Sequence, residues 1–109
     1  LVLDTWHWWT AGDSEEDLLT LTNHDVVSVD LNDAPQGVAK EQQRDNEREL
    51  PAATGVIDVA RFVTALVKIG YDGPVRPEPF NKVLNALDNE SACAAASAAL
   101  HHAMGMIRA

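Results

Sequence analysis

The chain has 109 residues, with 46% apolar and 23% charged residues, which is ordinary globular composition and fits one domain at most. Its net charge of −9 argues against a binder of nucleic-acid backbone, whose affinity rests on clustered Lys and Arg. No apolar run approaches the ~20 residues that cross a bilayer, no signal peptide is visible, and the single cysteine, Cys93, excludes an internal disulfide and a cysteine-based zinc site; the default compartment is cytoplasmic.

Leu1-Val2-Leu3-Asp4-Thr5-Trp6 reads as a buried strand ending in a carboxylate. The chain opens inside this strand, without a lead-in, so the sequence is expected to be a piece of a longer protein. After the Ala11-Gly12-Asp13 break, Ser14 opens a short helix to about Thr20, with Asp17 three residues on, as in a capping box. Val26 to Asn32 is the second strand, with Val27, Val29 and Leu31 on one face and Ser28, Asp30 and Asn32 on the other. Asp33 to Gly55 lacks periodicity, and loops of such length inside compact domains are often functional. Asp58 caps a helix to about Ile69 with an apolar stripe of Val59, Phe62, Val63, Leu66 and Ile69, ended by Gly70. Val75 to Phe80 is a third strand, whose end Pro79 marks. A short helical segment spans Asn81 to Leu87. An Ala-rich helix follows from Ser91 to Ile107, with Cys93, Ala96, Leu100, Met104 and Ile107 along its buried side.

Strands alternating with helices imply parallel strands joined by right-handed crossovers. A closed eight-fold barrel takes about 31 residues per unit, so three visible units cannot close one. A small open nucleotide-binding sheet is disfavoured, because Asp4-Thr5-Trp6-His7-Trp8-Trp9 is bulky where a phosphate turn needs glycine. Three strands end in Asp4, Asp30 and Glu78, and ligands of parallel α/β folds bind at such ends. Converging carboxylates suit a hard divalent ion. Strand-end acids that cap helices or face water are the alternative.

The ordered motifs Asp4-Thr5-Trp6-His7, Val29-Asp30-Leu31-Asn32-Asp33-Ala34, Arg48-Glu49-Leu50-Pro51 with Gly55-Val56-Ile57-Asp58, Gly70-Tyr71-Asp72-Gly73-Pro74 and Glu78-Pro79-Phe80 resemble the C-terminal part of the sugar phosphate isomerase/epimerase family, the xylose-isomerase-like TIM barrels. The resemblance implies an α/β fold, a partial (β/α)8 barrel formed by its last three strand–helix units, with residues 1–109 as the C-terminal portion of the domain. It implies one divalent metal ion, Mn²⁺ or Mg²⁺ first and Co²⁺ or Zn²⁺ as alternatives, with Asp4, Asp30 and Glu78 as ligands and a fourth, a glutamate, upstream. Asp30 departs from the family's usual histidine; it adds charge and shortens reach. Glu78 is then also the acid/base residue, His7 and Arg48 contact substrate, and Trp8 walls the pocket.

The implied activity is isomerisation or epimerisation of a sugar, sugar phosphate or polyol by proton abstraction beside a carbonyl, through an ene-diolate. An inosose-type dehydratase and a non-catalytic barrel with a degraded metal site are the alternatives. A multi-zinc hydrolase of damaged DNA would need more histidines and a basic groove. The expected partner is a small-molecule substrate, a homo-oligomer is allowed, and neither nucleic acid nor membrane is expected. A three-unit piece alone is expected to be inactive, and to associate or order poorly, because its strand edges are exposed.

Overall fold

Three short strands stand at the centre of the fold: β1 (Val2–Asp4), β2 (Ser28–Leu31) and β3 (Val75–Pro77). The computed structural model describes residues 1–107. The strands are parallel in the order β1-β2-β3, with Asp4 opposite Asp30 and Asp30 opposite Arg76. Residues in register project to the same face of a sheet. One face therefore carries Asp4, Asp30 and Arg76 in a row, and the other carries Leu3, Val29 and Val75. Val29 and Leu31 are fully buried on the apolar face, which the helices cover.

Those helices are α1 (Thr5–Thr10), α2 (Glu15–Leu19), α3 (Val59–Lys68), α4 (Lys82–Asn85) and α5 (Asn89–Met104). α3 packs against α2 and α5, and its stripe of Phe62, Val63 and Leu66 meets Val29, Leu31 and Ile57 in the core. Single turns of 3-10 helix occupy Asn23–Asp25 and Lys40–Gln42. The expected caps are present. Ser14 and Asp17 form a reciprocal capping box on α2, and Asp58 accepts the Arg61 N–H at the start of α3. Gly70 takes a left-handed φ of 73° just beyond α3, a conformation that favours glycine. The result is a small α/β fold matching part of a (β/α)8 barrel.

Several expectations are corrected. The strand expected from Leu1 to Trp6 stops at Asp4, because the Asp4 carboxylate accepts the Trp6 and His7 N–H groups and starts α1 at once. Leu1 and Val2, expected to be buried, are exposed in this chain, where β1 is the edge of the sheet. β2 is shorter than Val26–Asn32, and Val27 is exposed, whereas Asp30 and Asn32 on the polar face are buried. β3 ends at Pro77, not near Phe80. Cys93 is exposed rather than core, since α5 reaches the core through Leu100, Ala103 and Met104 and its first turns run past it. Among the described residues no helix is long and apolar enough to cross a membrane.

The long connection between β2 and α3 is tied at its base. Asp33 and Glu49 exchange backbone hydrogen bonds, both 2.9 Å. The fully buried Asp33 carboxylate accepts four backbone N–H groups: Ala34 and Ile57 on Oδ1, Thr54 and Gly55 on Oδ2. An unperiodic stretch thereby presents Arg48 to the sheet in a fixed position.

Candidate active site

Asp4 ends β1 and is at the same time the N-cap of α1. Its Oδ1 accepts the Trp6 N–H at 2.8 Å and the His7 N–H at 3.1 Å. The Asn32 amide approaches both of its oxygens, at 3.3 and 3.4 Å, and the Thr5 hydroxyl orients that amide by donating to Asn32 Oδ1 at 2.7 Å. Asp30 stands beside Asp4 through the sheet register. Glu78 follows β3, fixed by its N–H to the Leu31 carbonyl at 2.9 Å. One oxygen from each of Asp4, Asp30 and Glu78 lies within 4.8 Å of the other two, with the aspartates buried and Glu78 half-buried. This convergence was the central expectation from the sequence.

Two guanidinium groups face the three carboxylates. Arg48 is buried, its side chain only 2% exposed. Its Nη1 donates to Asp4 Oδ2 at 2.8 Å and lies 3.6 Å from Glu78 Oε1. Asp45 holds the other edge through its carbonyl and its carboxylate. The guanidinium plane is flanked by the Trp6 ring at 4.9 Å and the Phe80 ring at 5.0 Å, a double cation–π contact. Phe80 reaches this position with a positive φ of 33°, unusual for a bulky residue and of the kind that clusters at functional sites. Arg76, by contrast, is 63% exposed at its side chain. Its Nε meets Asp30 Oδ1 at 2.5 Å and its Nη2 meets Asp30 Oδ2 at 3.5 Å.

The electrostatics separate the acids. Burial pushes Asp30 up, but its hydrogen bonds with Arg76 and Glu78 and the charges of Arg76 and Arg48 outweigh that, so its carboxyl sits below the usual range. Glu78 goes the other way. Burial, the hydrogen bond shared with Asp30, and the charges of Asp30 and Asp4 all raise it, against the opposing pull of Arg48. Two adjacent acids pushed apart in this way are suited to different roles.

His7 is exposed on α1, with Nε2 3.3 Å from Arg48 Nη2 and 3.6 Å from Asp45 Oδ1, so it stands at the rim of the cluster. Trp8 is half-buried. Its ring packs edge-on to Phe62 at 5.4 Å and its N–H donates to the Ser14 carbonyl at 3.0 Å. It shares with Asp4 and His7 a cavity of about 370 Å³ beside β1. His24, His101 and His102 are exposed, as surface residues should be. Sequence reasoning missed Asn32, Asp45, Arg76, Trp6 and Phe80 as members of the site. Arg76 had a signal: it lies two residues before Glu78, so the two share a strand face.

Carboxylate oxygens suit hard ions such as Mg²⁺ or Mn²⁺. Opposite ligands of Mg²⁺ are about 4.2 Å apart, close to the span of this cluster. The donor set therefore fits a divalent ion, with Asp4, Asp30 and Glu78 as the residues able to hold it.

A model of the xylose isomerase-like TIM barrel family matches residues 1–107. The chain belongs to this family. A xylose isomerase domain protein from Alicyclobacillus acidocaldarius subsp. acidocaldarius is 33% identical with a TM-score of 0.78, over 97% of this chain and 37% of that one. The IOLI protein with a bound zinc atom is 24% identical with a TM-score of 0.88, over 100% of this chain and 38% of that one. A fusion of a xylose isomerase-like TIM barrel with 4-hydroxyphenylpyruvate dioxygenase gives 22% and 0.77, over 94% and 16%. The last two likenesses establish the fold alone. Among curated proteins none matches significantly. The chain thus spans well under half the length of these solved xylose isomerase-like proteins.

Proposed function

We propose that this chain is the C-terminal portion, residues 1–109, of a xylose isomerase-like barrel that isomerises or epimerises a sugar, sugar phosphate or sugar-like polyol with the help of one divalent metal ion. The observation that carries the reading is the meeting of Asp4, Asp30 and Glu78 at the C-terminal ends of three neighbouring parallel strands. The bound zinc of the IOLI protein supports a divalent ion, and the all-oxygen donor set here favours Mn²⁺ or Mg²⁺ over Co²⁺ or Zn²⁺. When bound, the ion would supply a Lewis acid for a substrate carbonyl.

Glu78 is the group that takes a proton from the carbon next to the carbonyl and returns it. Burial and the neighbouring Asp30 and Asp4 carboxylates raise the pKa of its carboxyl. The Nη1 of Arg48, between Asp4 and Glu78, is fixed in advance to meet negative charge developing on substrate oxygen. His7 at the rim contacts a substrate hydroxyl, and Trp8 walls the adjoining cavity. A second acid–base group belongs to the remainder of the barrel, so the 109-residue chain alone turns nothing over. The compartment is cytoplasmic, and neither nucleic acid nor membrane is a partner; the 109-residue portion alone self-associates through sheet edges that the rest of the barrel would pair.

The test is solvent-deuterium incorporation into candidate ketoses and inososes, followed by NMR, in the full-length protein with and without Mn²⁺. Metal-dependent exchange that disappears in Glu78→Gln supports the reading. Exchange that persists in Glu78→Gln removes Glu78 from the chemistry. Water loss from an inosose would turn the reading toward a dehydratase, and absence of both exchange and Mn²⁺ binding toward a non-catalytic barrel.

A further inference from the structure

Asn32 directly follows β2 and lies, fully buried, between the two outer ligand positions. Its amide nitrogen reaches both oxygens of Asp4, at 3.3 and 3.4 Å, and the backbone carbonyl of Glu78, at 3.3 Å. A carboxylate and a carbonyl only accept, so the NH2 end of the amide faces them and Oδ1 faces the other way. On that side the Thr5 hydroxyl, also fully buried, accepts the Asn32 backbone N–H at 2.8 Å. The hydroxyl has one proton to give, and Asn32 Oδ1 at 2.7 Å is nearer than the Asn32 carbonyl at 3.0 Å. Without it, the amide has no donor on its Oδ1 side and is free to turn that oxygen toward Asp4. The Glu78 backbone is held from both sides by the end of β2, its N–H by the Leu31 carbonyl and its carbonyl by the Asn32 amide. Thr5 and Asn32 are buried by residues of this chain alone, so completing the barrel leaves their contacts as they are.

We propose that Thr5 and Asn32 are positioning residues for the metal site. The hydroxyl fixes the amide, and the amide holds the Asp4 carboxylate in one orientation while tying it to the backbone of Glu78 across β2. The two outer ligands are thereby spaced before a divalent ion arrives. The task calls for two donors on one side and an acceptor on the other, which an amide supplies and a carboxylate does not. The inference rests on the metal-dependent reading above and goes beyond it by assigning two residues that hold no ion themselves. Loss of the partner that orients a metal ligand typically weakens metal binding about 10–100-fold.

The experiment is calorimetric titration of the full-length protein with Mn²⁺ alone, repeated for Thr5→Val, Thr5→Ser and Asp4→Asn, with thermal unfolding of each. Thr5→Val keeps the shape of the side chain and deletes the hydroxyl. Thr5→Ser keeps the hydroxyl and gives up a buried methyl, so it loses stability without losing the hydrogen bonds. The expected result is Mn²⁺ binding about tenfold weaker in Thr5→Val, nearly unchanged in Thr5→Ser despite a lower melting temperature, and lost in Asp4→Asn. A change in Thr5→Val no larger than that in Thr5→Ser, with loss in Asp4→Asn, overturns the positioning role while leaving the metal site standing, because affinity would then follow packing or nothing at all. Binding that Asp4→Asn does not alter, or no binding by the parent protein, overturns the metal site and the positioning role together. Should Asp4→Asn unfold, Glu78→Gln serves as the ligand control. Should Thr5→Val unfold, Thr5→Ala takes its place, and failure of both to fold overturns the proposal, since the hydroxyl would then serve the fold rather than the site.

Discussion

Replacing Asp33 by asparagine tests the view that one buried carboxylate holds the Arg48-bearing loop. Asp33 is fully buried and accepts two backbone N–H groups on each oxygen. Asparagine has the same shape but offers acceptor capacity on one side only, and its NH2 would point at two N–H donors. Two charge-assisted hydrogen bonds at about 1.5–3 kcal/mol each would be lost. With partial relaxation of Thr54 and Gly55 into water, the expected cost is about 3–5 kcal/mol. That is a large share of the roughly 5–15 kcal/mol that separates folded from unfolded domains. Urea denaturation of the full-length protein measures it, and amide exchange at Gly55 and Ile57 should accelerate before the sheet opens. Alanine at the same position should cost at least as much, since it leaves all four donors without a partner. A measured loss below about 1 kcal/mol for Asp33→Asn would refute the reasoning, because an isosteric swap would then be harmless where polarity is argued to matter.

Arg48→Met keeps most of the side-chain length but leaves the Asp4 carboxylate buried without its cation. Breaking such a pair typically costs about 3–5 kcal/mol, and the lower end is expected because Asn32 and the amides of α1 still bind Asp4. Asp4→Asn in the same background should recover part of the loss in a double-mutant cycle, and a cycle with no coupling would deny the pairing. Asp88 is the N-cap of α5, its carboxyl lowered by the Ser91 N–H and then by the Ser91 hydroxyl. A lowered folded-state value means stability that is present above about pH 4, the unfolded pKa, and is lost as pH falls through the folded value. The stability gap between the parent and Asp88→Ala should therefore be open at pH 7 and closed in strong acid; a gap independent of pH would remove the charge from the cap.

The parts legible in the sequence were those set by local rules. The capping box at Ser14 and Asp17, the Asp58 cap, the stripe through Phe62 and the Gly70 stop each need only neighbours in the chain, and each stands where those rules put it. The acids at the strand ends were visible too, and register brings them together. What stayed hidden depends on pairings across many residues. Arg48 was singled out only through the family motif Arg48-Glu49-Leu50-Pro51, because nothing else local in Lys40–Glu49 distinguishes it, buried, from the exposed Arg44. Their difference arises from the Asp33–Glu49 bridge and from Trp6 and Phe80, which approach from the two ends of the chain. α1 was missed because the apolar run from Leu1 to Trp6 reads as a strand, while the cap formed by Asp4 decides for a helix from Thr5. Cys93 sits on the apolar stripe of α5, yet a stripe is buried only as far as there is something to cover it.

The double duty of Asp4 has a thermodynamic consequence. Its Oδ1 cannot turn away without releasing the first amides of α1, so the rotamer is selected when the helix forms. The entropy of fixing this side chain is incurred during folding and not on encounter with a ligand. Asp4 is in this sense rigid by architecture.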